Sequence, residues 1–263
     1  MMGPAHSLSG AAAWLGVGAA AAAAGHPMPW PVIVCGALIC AGAALAPDLD
    51  HKSATISRAF GPLSRMLCEV VDNLSHAVYK ATKMRGDTHR GGGHRTLTHT
   101  WVWAVLVGAG MALLASRGGR WAVLGILFVH MVLAIEGLLW RAARVSSDVL
   151  VWLLGAASAW ILAGVLDQPG NGAGWLFTEP GQEYLWLGLP IVLGALVHDL
   201  GDALTVSGCP VLWPIPIGRK RWYPVGPPKA MRFKAGSWVE LKVLMPVFML
   251  LGGIGGLGAL DFI

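Results

Sequence analysis

The sequence predicts an all-α bundle of membrane-spanning helices, and three observations carry that expectation. Apolar residues make up 55% of the 263-residue chain and charged residues 13%, roughly half of the ~25% charged content of soluble domains. The mean hydropathy is +0.61. The apolar residues fall in long runs and do not alternate, which excludes a soluble globular enzyme, a disordered chain and a secreted disulfide scaffold. One membrane-embedded domain over 1–263 is expected.

A spanning helix needs ~20 apolar residues, with ~17 as a lower limit. Residues 8–24 are short of bulk and rich in Ala and Gly, which predicts a helix packed inside the bundle, where small residues allow close approach. No charged segment precedes this run and it leads directly into a second span, so it reads as a retained helix and not a cleaved signal. Further spans are expected over 29–46, 97–115, 121–140, 149–166 and 184–205, six in all. A seventh over 238–260 contains Gly252, Gly253, Gly255, Gly256 and Gly258, and its composition leaves a full crossing open.

Residues 54–84 differ from all of these. Ile56, Phe60, Leu63, Leu67, Val70, Leu74 and Ala77 recur at steps of three and four, while Arg58, Arg65, Asp72, Lys80 and Lys83 fall mostly elsewhere. One apolar stripe on a charged helix predicts an amphipathic helix lying in the membrane interface. The alternative is a helix pair packed against a soluble cap, broken at Gly61-Pro62.

If each span reverses the chain, the segments 47–96, 141–148 and 206–237 share the side that holds the N-terminus. Counting Lys242, that side carries 17 of the 19 Lys and Arg, all but Arg117 and Arg120. The positive-inside rule then makes it the cytoplasm. Trp30, Trp101, Trp103, Trp121, Trp140 and Trp186 fall near expected span ends and read as interfacial anchors. Cys35, Cys40, Cys68 and Cys209 form no CxxC pair and read as buried reduced thiols.

The metal-competent residues collect on the same side. Asp48, Asp50 and His51 lie in Pro-Asp-Leu-Asp-His at the end of the second span, and His94 and His99 open the third in His-Arg-Thr-Leu-Thr-His. His198 and Asp202 stand four apart near the end of the sixth, in His-Asp-Leu-Gly-Asp, and His6 precedes the first. Ionisable residues in or beside spans are costly and usually functional. Mixed imidazole and carboxylate donors suit Zn first, with Mn or Fe as alternatives. An i, i+4 pair shares a helix face, as two ligands of one ion must, and Asp48 with Asp50 flanks a turn from which a carboxylate can bridge two ions.

Three of these motifs, Pro-Asp-Leu-Asp-His at 47–51, His-Arg-Thr-Leu-Thr-His-Thr at 94–100 and His-Asp-Leu-Gly-Asp-Ala-Leu-Thr at 198–205, resemble the signatures of the YdjM-like membrane-bound metal-dependent hydrolases. Ser-Gly-Cys-Pro-Val-Leu-Trp-Pro at 207–214 is similar to that family's Gly-x-x-Leu-Leu-Trp-Pro tail. The resemblance implies a bacterial inner-membrane hydrolase with His6, Asp48, Asp50, His94, His99, His198 and Asp202 as metal ligands. Thr96 and Thr100 stand where the family usually has Gly and Ser, and Asp199 replaces a common apolar residue.

Arg95, held between two of these histidines, is the candidate substrate contact, because a guanidinium binds phosphate oxygens bidentately. Arg90 lies close by in sequence, and His89-Arg90 leads into the glycine run 91–93, which reads as a hinge. Arg219, Lys220, Arg221, Lys229, Arg232 and Lys234 form a patch that reads as attraction to anionic lipid. His130 is expected to hydrogen-bond between helices, Glu136 and Glu240 to assist or close the site, and His76 to lie at the surface. The function expected is hydrolysis of a lipid-linked phosphoester at the cytoplasmic leaflet of the inner membrane, with one to three divalent ions and Asp50 or Asp202 accepting a proton. A divalent-metal transporter or metal-sensing membrane protein is the alternative. Membrane lipid is the expected partner and nucleic acid is not.

Overall fold

The computed structural model describes residues 1–88, 92–143 and 145–260. Among these the secondary structure is helical, with only isolated bridges of β type. The α-helices are α1 (Gly3–Ala23), α2 (Trp30–Ala43), α3 (Ile56–Ala59), α4 (Pro62–Thr82), α5 (Trp101–Leu138), α6 (Trp140–Ala143), α7 (Asp148–Leu166), α8 (Gly188–Ala203) and α9 (Met245–Ala259). A π turn over Glu240–Leu244 leads into α9, and 3-10 turns occupy Ala46–Asp50, Leu97–His99 and Leu185–Leu187.

Among the described residues five helices, Trp30–Asp50, Trp101–Leu138, Asp148–Leu166, Leu185–Ala203 and Glu240–Ala259, are long and apolar enough to cross a membrane. Six and a doubtful seventh were expected, and the difference has physical causes. α1 has 21 residues, but its alanines, glycines and serines leave it too weakly hydropathic. The expected spans 97–115 and 121–140 belong to one 38-residue element, α5. The doubtful segment does qualify, as the 20 residues Glu240–Ala259.

A straight α5 would run about 57 Å at ~1.5 Å per residue. Both its ends nevertheless lie at one depth. His99, just ahead of its first turn, approaches His198, whose ring stacks on His6 at 3.7 Å. At the other end Gly137 packs directly on Ser7. The chain therefore doubles back at Gly119, whose φ of 59° and ψ of −154° break the helix in a region that glycine enters without steric cost. α5 is a helical hairpin, and the two expected spans are its arms.

α2 is the central helix, with Val32, Ile33, Ile39 and Cys40 packed among Leu127, Met131, Leu166 and Ile191. Trp186 belongs to this core, fully buried and edge-on to Trp175 at 6.0 Å, and is no interfacial anchor. Trp30, Trp101 and Trp121 are exposed at helix ends as expected. Glycines set the closest approaches: Gly10 of α1 and Gly194 of α8 both abut the Cys40 carbonyl. α1 and α9 run parallel, with Ala12 beside Gly252, Gly16 beside Gly255 and Gly18 beside Ala259. The four cysteines are buried.

The amphipathic segment is two helices, α3 and α4, separated at Gly61, whose φ is 60°. Its apolar stripe faces outward. α4 buries Ser64, Cys68, Ser75 and Tyr79, and leaves Leu63, Met66, Leu67, Val70 and Leu74 exposed. Such a face suits the membrane interface, the position expected from the sequence. His76 is half-buried, not at the surface as expected. His89, Arg90 and Gly91, the first residue of the expected hinge, lie outside the described residues, as does Arg144. Gly93 is held against α4 by its N–H, which donates to Asp72 Oδ1 at 2.7 Å.

Candidate metal centre

Helix ends bring the donors together. The 3-10 turn after α2 presents Asp48 and Asp50, the turn before α5 presents His99, and the last turns of α8 present His198 and Asp202. One donor atom from each of Asp48, His99, His198 and Asp202 falls within 4.8 Å of the other three, and a second such group is Asp48, Asp50 and His94. Asp48 belongs to both.

In the first group, Nε2 of His99 and Nε2 of His198 face each other at 3.3 Å. Asp48 Oδ1 lies 3.6 Å from His99 Nε2 and 3.7 Å from His198 Nε2. Asp202 Oδ2 lies 3.7 Å and 4.0 Å from the same two nitrogens. Tetrahedral ligands at Zn–N distances of ~2.0–2.1 Å stand roughly 3.3–3.4 Å apart. The group is thus a slightly expanded tetrahedral edge set.

The far sides of both imidazoles are already engaged. His198 Nδ1 donates to the Ala44 carbonyl at 2.7 Å. His99 Nδ1 meets Thr98 Oγ1 at 2.9 Å, and that hydroxyl donates to Asp50 Oδ2 at 2.6 Å. These contacts put the lone pair of a neutral ring on the inward Nε2, the arrangement that orients histidine ligands on a metal. Burial acts to lower the His99 pKa, but the charge of Asp50 and hydrogen bonds to Asp48 and Asp50 outweigh it and raise the pKa to about 10. Without a cation from outside, a proton on His99 offsets the charge of Asp50, as Arg95 and the Met1 amino group offset that of Asp202.

Orphaned polar atoms make the same point. Both ring nitrogens of His6 are buried without a hydrogen-bond partner, although Nε2 lies 3.3 Å from Asp202 Oδ1. Buried polar groups without partners are rare and demand an explanation such as an ion. The residues present therefore fit a divalent metal in both donor chemistry and spacing.

Asp50 is the most heavily bonded carboxylate of the set. It accepts from His94 Nδ1 at 2.8 Å, from the Arg95 N–H at 3.2 Å and from Thr98. His94, 37% exposed in its side chain, sits at the edge of the cluster beside His51. Arg95 adopts a positive φ of 54°. Its guanidinium pairs with Asp202 Oδ2 at 2.7 Å and donates to Thr205 Oγ1 at 3.1 Å. The Met1 amino group also hydrogen-bonds Asp202.

All seven residues expected as ligands, with Arg95, are gathered at one end of the bundle. The accessory expectations fare differently. Glu136 is under the influence of Asp148 and Arg58, and no contact joins it to the cluster. Glu240 is buried but accepts from the backbone N–H of Met2 at 2.5 Å and of Gly236 at 2.8 Å, so it anchors the start of α1. His130 donates to the Ile126 carbonyl of its own helix at 2.7 Å, not between helices. Of the basic patch, Arg221 donates to the Thr82 carbonyl and Arg232 to the Pro227 carbonyl, which makes these two structural. Thr98 and Thr205, which orient His99 and Arg95, were not singled out in the sequence. A hydroxyl next to a ligand, as Thr98 is to His99, or three residues after one, as Thr205 is to Asp202, carries no signal of its own.

The model of one protein family, described as YdjM inner membrane protein, matches residues 1–143, just over half of the chain. No curated protein and no solved structure matches it. The matched part carries His6, Asp48, Asp50, His94, Arg95 and His99, and α8 beyond it brings His198 and Asp202.

Proposed function

The chain belongs to the YdjM inner membrane protein family, and on that premise we propose that it is a metal-dependent hydrolase of a lipid-linked phosphoester. The observation that carries this reading is the four-donor set in which His99 and His198 present Nε2 atoms 3.3 Å apart with Asp48 and Asp202 alongside. Asp48, His99, His198 and Asp202 would hold one divalent ion, zinc by preference, and Asp48, Asp50 and His94 a second; His6 would complete the first. A bound ion would supply Lewis acidity and a water acidic near pH 7. Asp50 already accepts hydrogen bonds from three donors, which hold it as a carboxylate and suit it to orient His94, Arg95 and Thr98 more than to take up a proton. Arg95 lies against Asp202 with a guanidinium 15% exposed, in reach of an anion that enters the cluster.

The charge bias of the sequence supports a cytoplasmic site. A reporter fused after Pro228 should behave as cytoplasmic and one placed within 170–180 as external; the reverse pattern would move the site to the outer face. The position of the donors at helix ends argues against a transporter, whose ligands sit near the bilayer midplane on broken helices. Elemental analysis of the purified protein, followed by a screen of lipid phosphoesters, tests the proposal. Bound metal with metal flux across vesicles and no hydrolysis would decide for a carrier.

A further inference from the structure

A cavity of about 260 Å³ opens where the 3-10 turn after α2, α3 and α4 meet. Lys52, Ser57, Arg58, Arg65, Cys68 and Glu69 line it, and none of them belongs to the metal centre. Three cations thus face one carboxylate. Glu69 lies 4.0 Å from Lys52, and with side chains 66% and 76% exposed that pair is too well solvated to cancel either charge. A second carboxylate, Glu136 on α5, is under the influence of Arg58. The balance stays positive, and the cavity has room for a polyatomic anion with some of its water.

The inner part of the lining is polar as well. Ser57 is fully buried, with its hydroxyl 3.5 Å from the Leu49 carbonyl between Asp48 and Asp50. Beyond its rim begins the exposed apolar face of α4, with Met66 nearest Glu69 and Leu63, Leu67 and Val70 continuing it round the helix. A freely soluble anion gains nothing from that stripe. A molecule with a phosphate at one end and acyl chains at the other uses both the arginines and the leucines.

We propose that this cavity binds the phosphate group of an anionic membrane lipid, at a site separate from the metal centre. Binding here needs no hydrolysis, so its test stands apart from that of the proposed reaction. Native mass spectrometry of the purified full chain, with phosphatidylglycerol, phosphatidylcholine or inorganic phosphate added, reads occupancy directly. Phosphatidylglycerol should be retained in preference to phosphatidylcholine. Arg58→Ala with Arg65→Ala should weaken that retention by roughly tenfold or more, as expected for lost charge-assisted hydrogen bonds. The helical circular-dichroism signal of the same sample reports that the variant is folded. Arg117→Ala with Arg120→Ala, beside Gly119 at the opposite end of the bundle, should leave retention unchanged. Equal retention of phosphatidylcholine, undiminished retention in the double arginine variant, or binding of inorganic phosphate as tight as that of the lipid would each overturn the proposal.

Discussion

The two ends of the helix bundle carry similar residue types under opposite conditions. At the end beside Gly119, Arg120 pairs with Asp167 at 2.8 Å, with side chains 49% and 35% exposed, and Tyr184 hydrogen-bonds the same carboxylate. At the other end Asp50, His99, His198 and Asp202 are buried. Water screens the first group, and such pairs are worth ~0–1 kcal/mol. It cannot reach the second, so those charges must satisfy one another or a cation, and removal of one partner leaves the rest uncompensated. The contrast separates a surface contact from a site by cost, without reference to residue type.

Substitutions at the two ends should differ accordingly. Asp48→Ala removes the one residue common to both donor groups and should strip both ions. The loss in affinity should exceed the ~10–100-fold typical of an outer partner, as elemental analysis after dialysis will read. His198→Ala should cost one ion and spare the group of Asp48, Asp50 and His94; retention of the full metal content would break the two-group reading. Asp202→Asn keeps the reach of the side chain but not its charge, and should weaken metal retention less than His198→Ala while abolishing hydrolysis.

Arg95→Lys retains a charge on Asp202 and loses the fork. Metal content should hold, while turnover falls by roughly ten- to a hundredfold, in line with one charge-assisted hydrogen bond of ~1.5–3 kcal/mol. Metal uptake should also depend on pH. Below about 10 the metal-free His99 holds its proton, and an ion must displace it. Affinity should therefore climb with pH by up to ~10-fold per unit from this group, and flatten near 10. Proton release on titration with zinc in a weak buffer measures it; no release would remove His99 from the ligand set. At the other end, Arg120→Ala should change stability by ~1 kcal/mol or less and leave metal content untouched.

Much of the site was legible in the sequence because its parts are short and local. Pro-Asp-Leu-Asp-His, the two histidines of 94–99 and the i, i+4 pair of α8 each declare a turn or a face, and counting reversals puts them at one depth. What the count cannot supply is direction within that depth. Arg95 turns onto Asp202 because its backbone is left-handed at φ 54°, which nothing in His-Arg-Thr announces. Asp199 is fully buried with both carboxylate oxygens unpartnered, yet its neighbours His198 and Leu200 read as an ordinary helix. Trp186 resembles an anchor by position and becomes core because Trp175, from a loop, covers it. Periodicity found the apolar stripe of α4 but was silent on which side the protein lies, and the protein lies on the side of Ser64 and Tyr79.

The parallel pairing of α1 with α9 also has a meaning in time. α1 falls short of the hydropathy of the membrane-crossing helices, and part of what makes it tolerable in the bundle is a glycine-lined neighbour, α9, that leaves the ribosome long after it. At ~5–20 residues per second, on the order of ten seconds or more separate the two. Over that interval the start of α1 lacks Glu240, which later grips Met2. A segment made early is therefore secured by one made late, and that clasp closes only once the π turn ahead of α9 has been made.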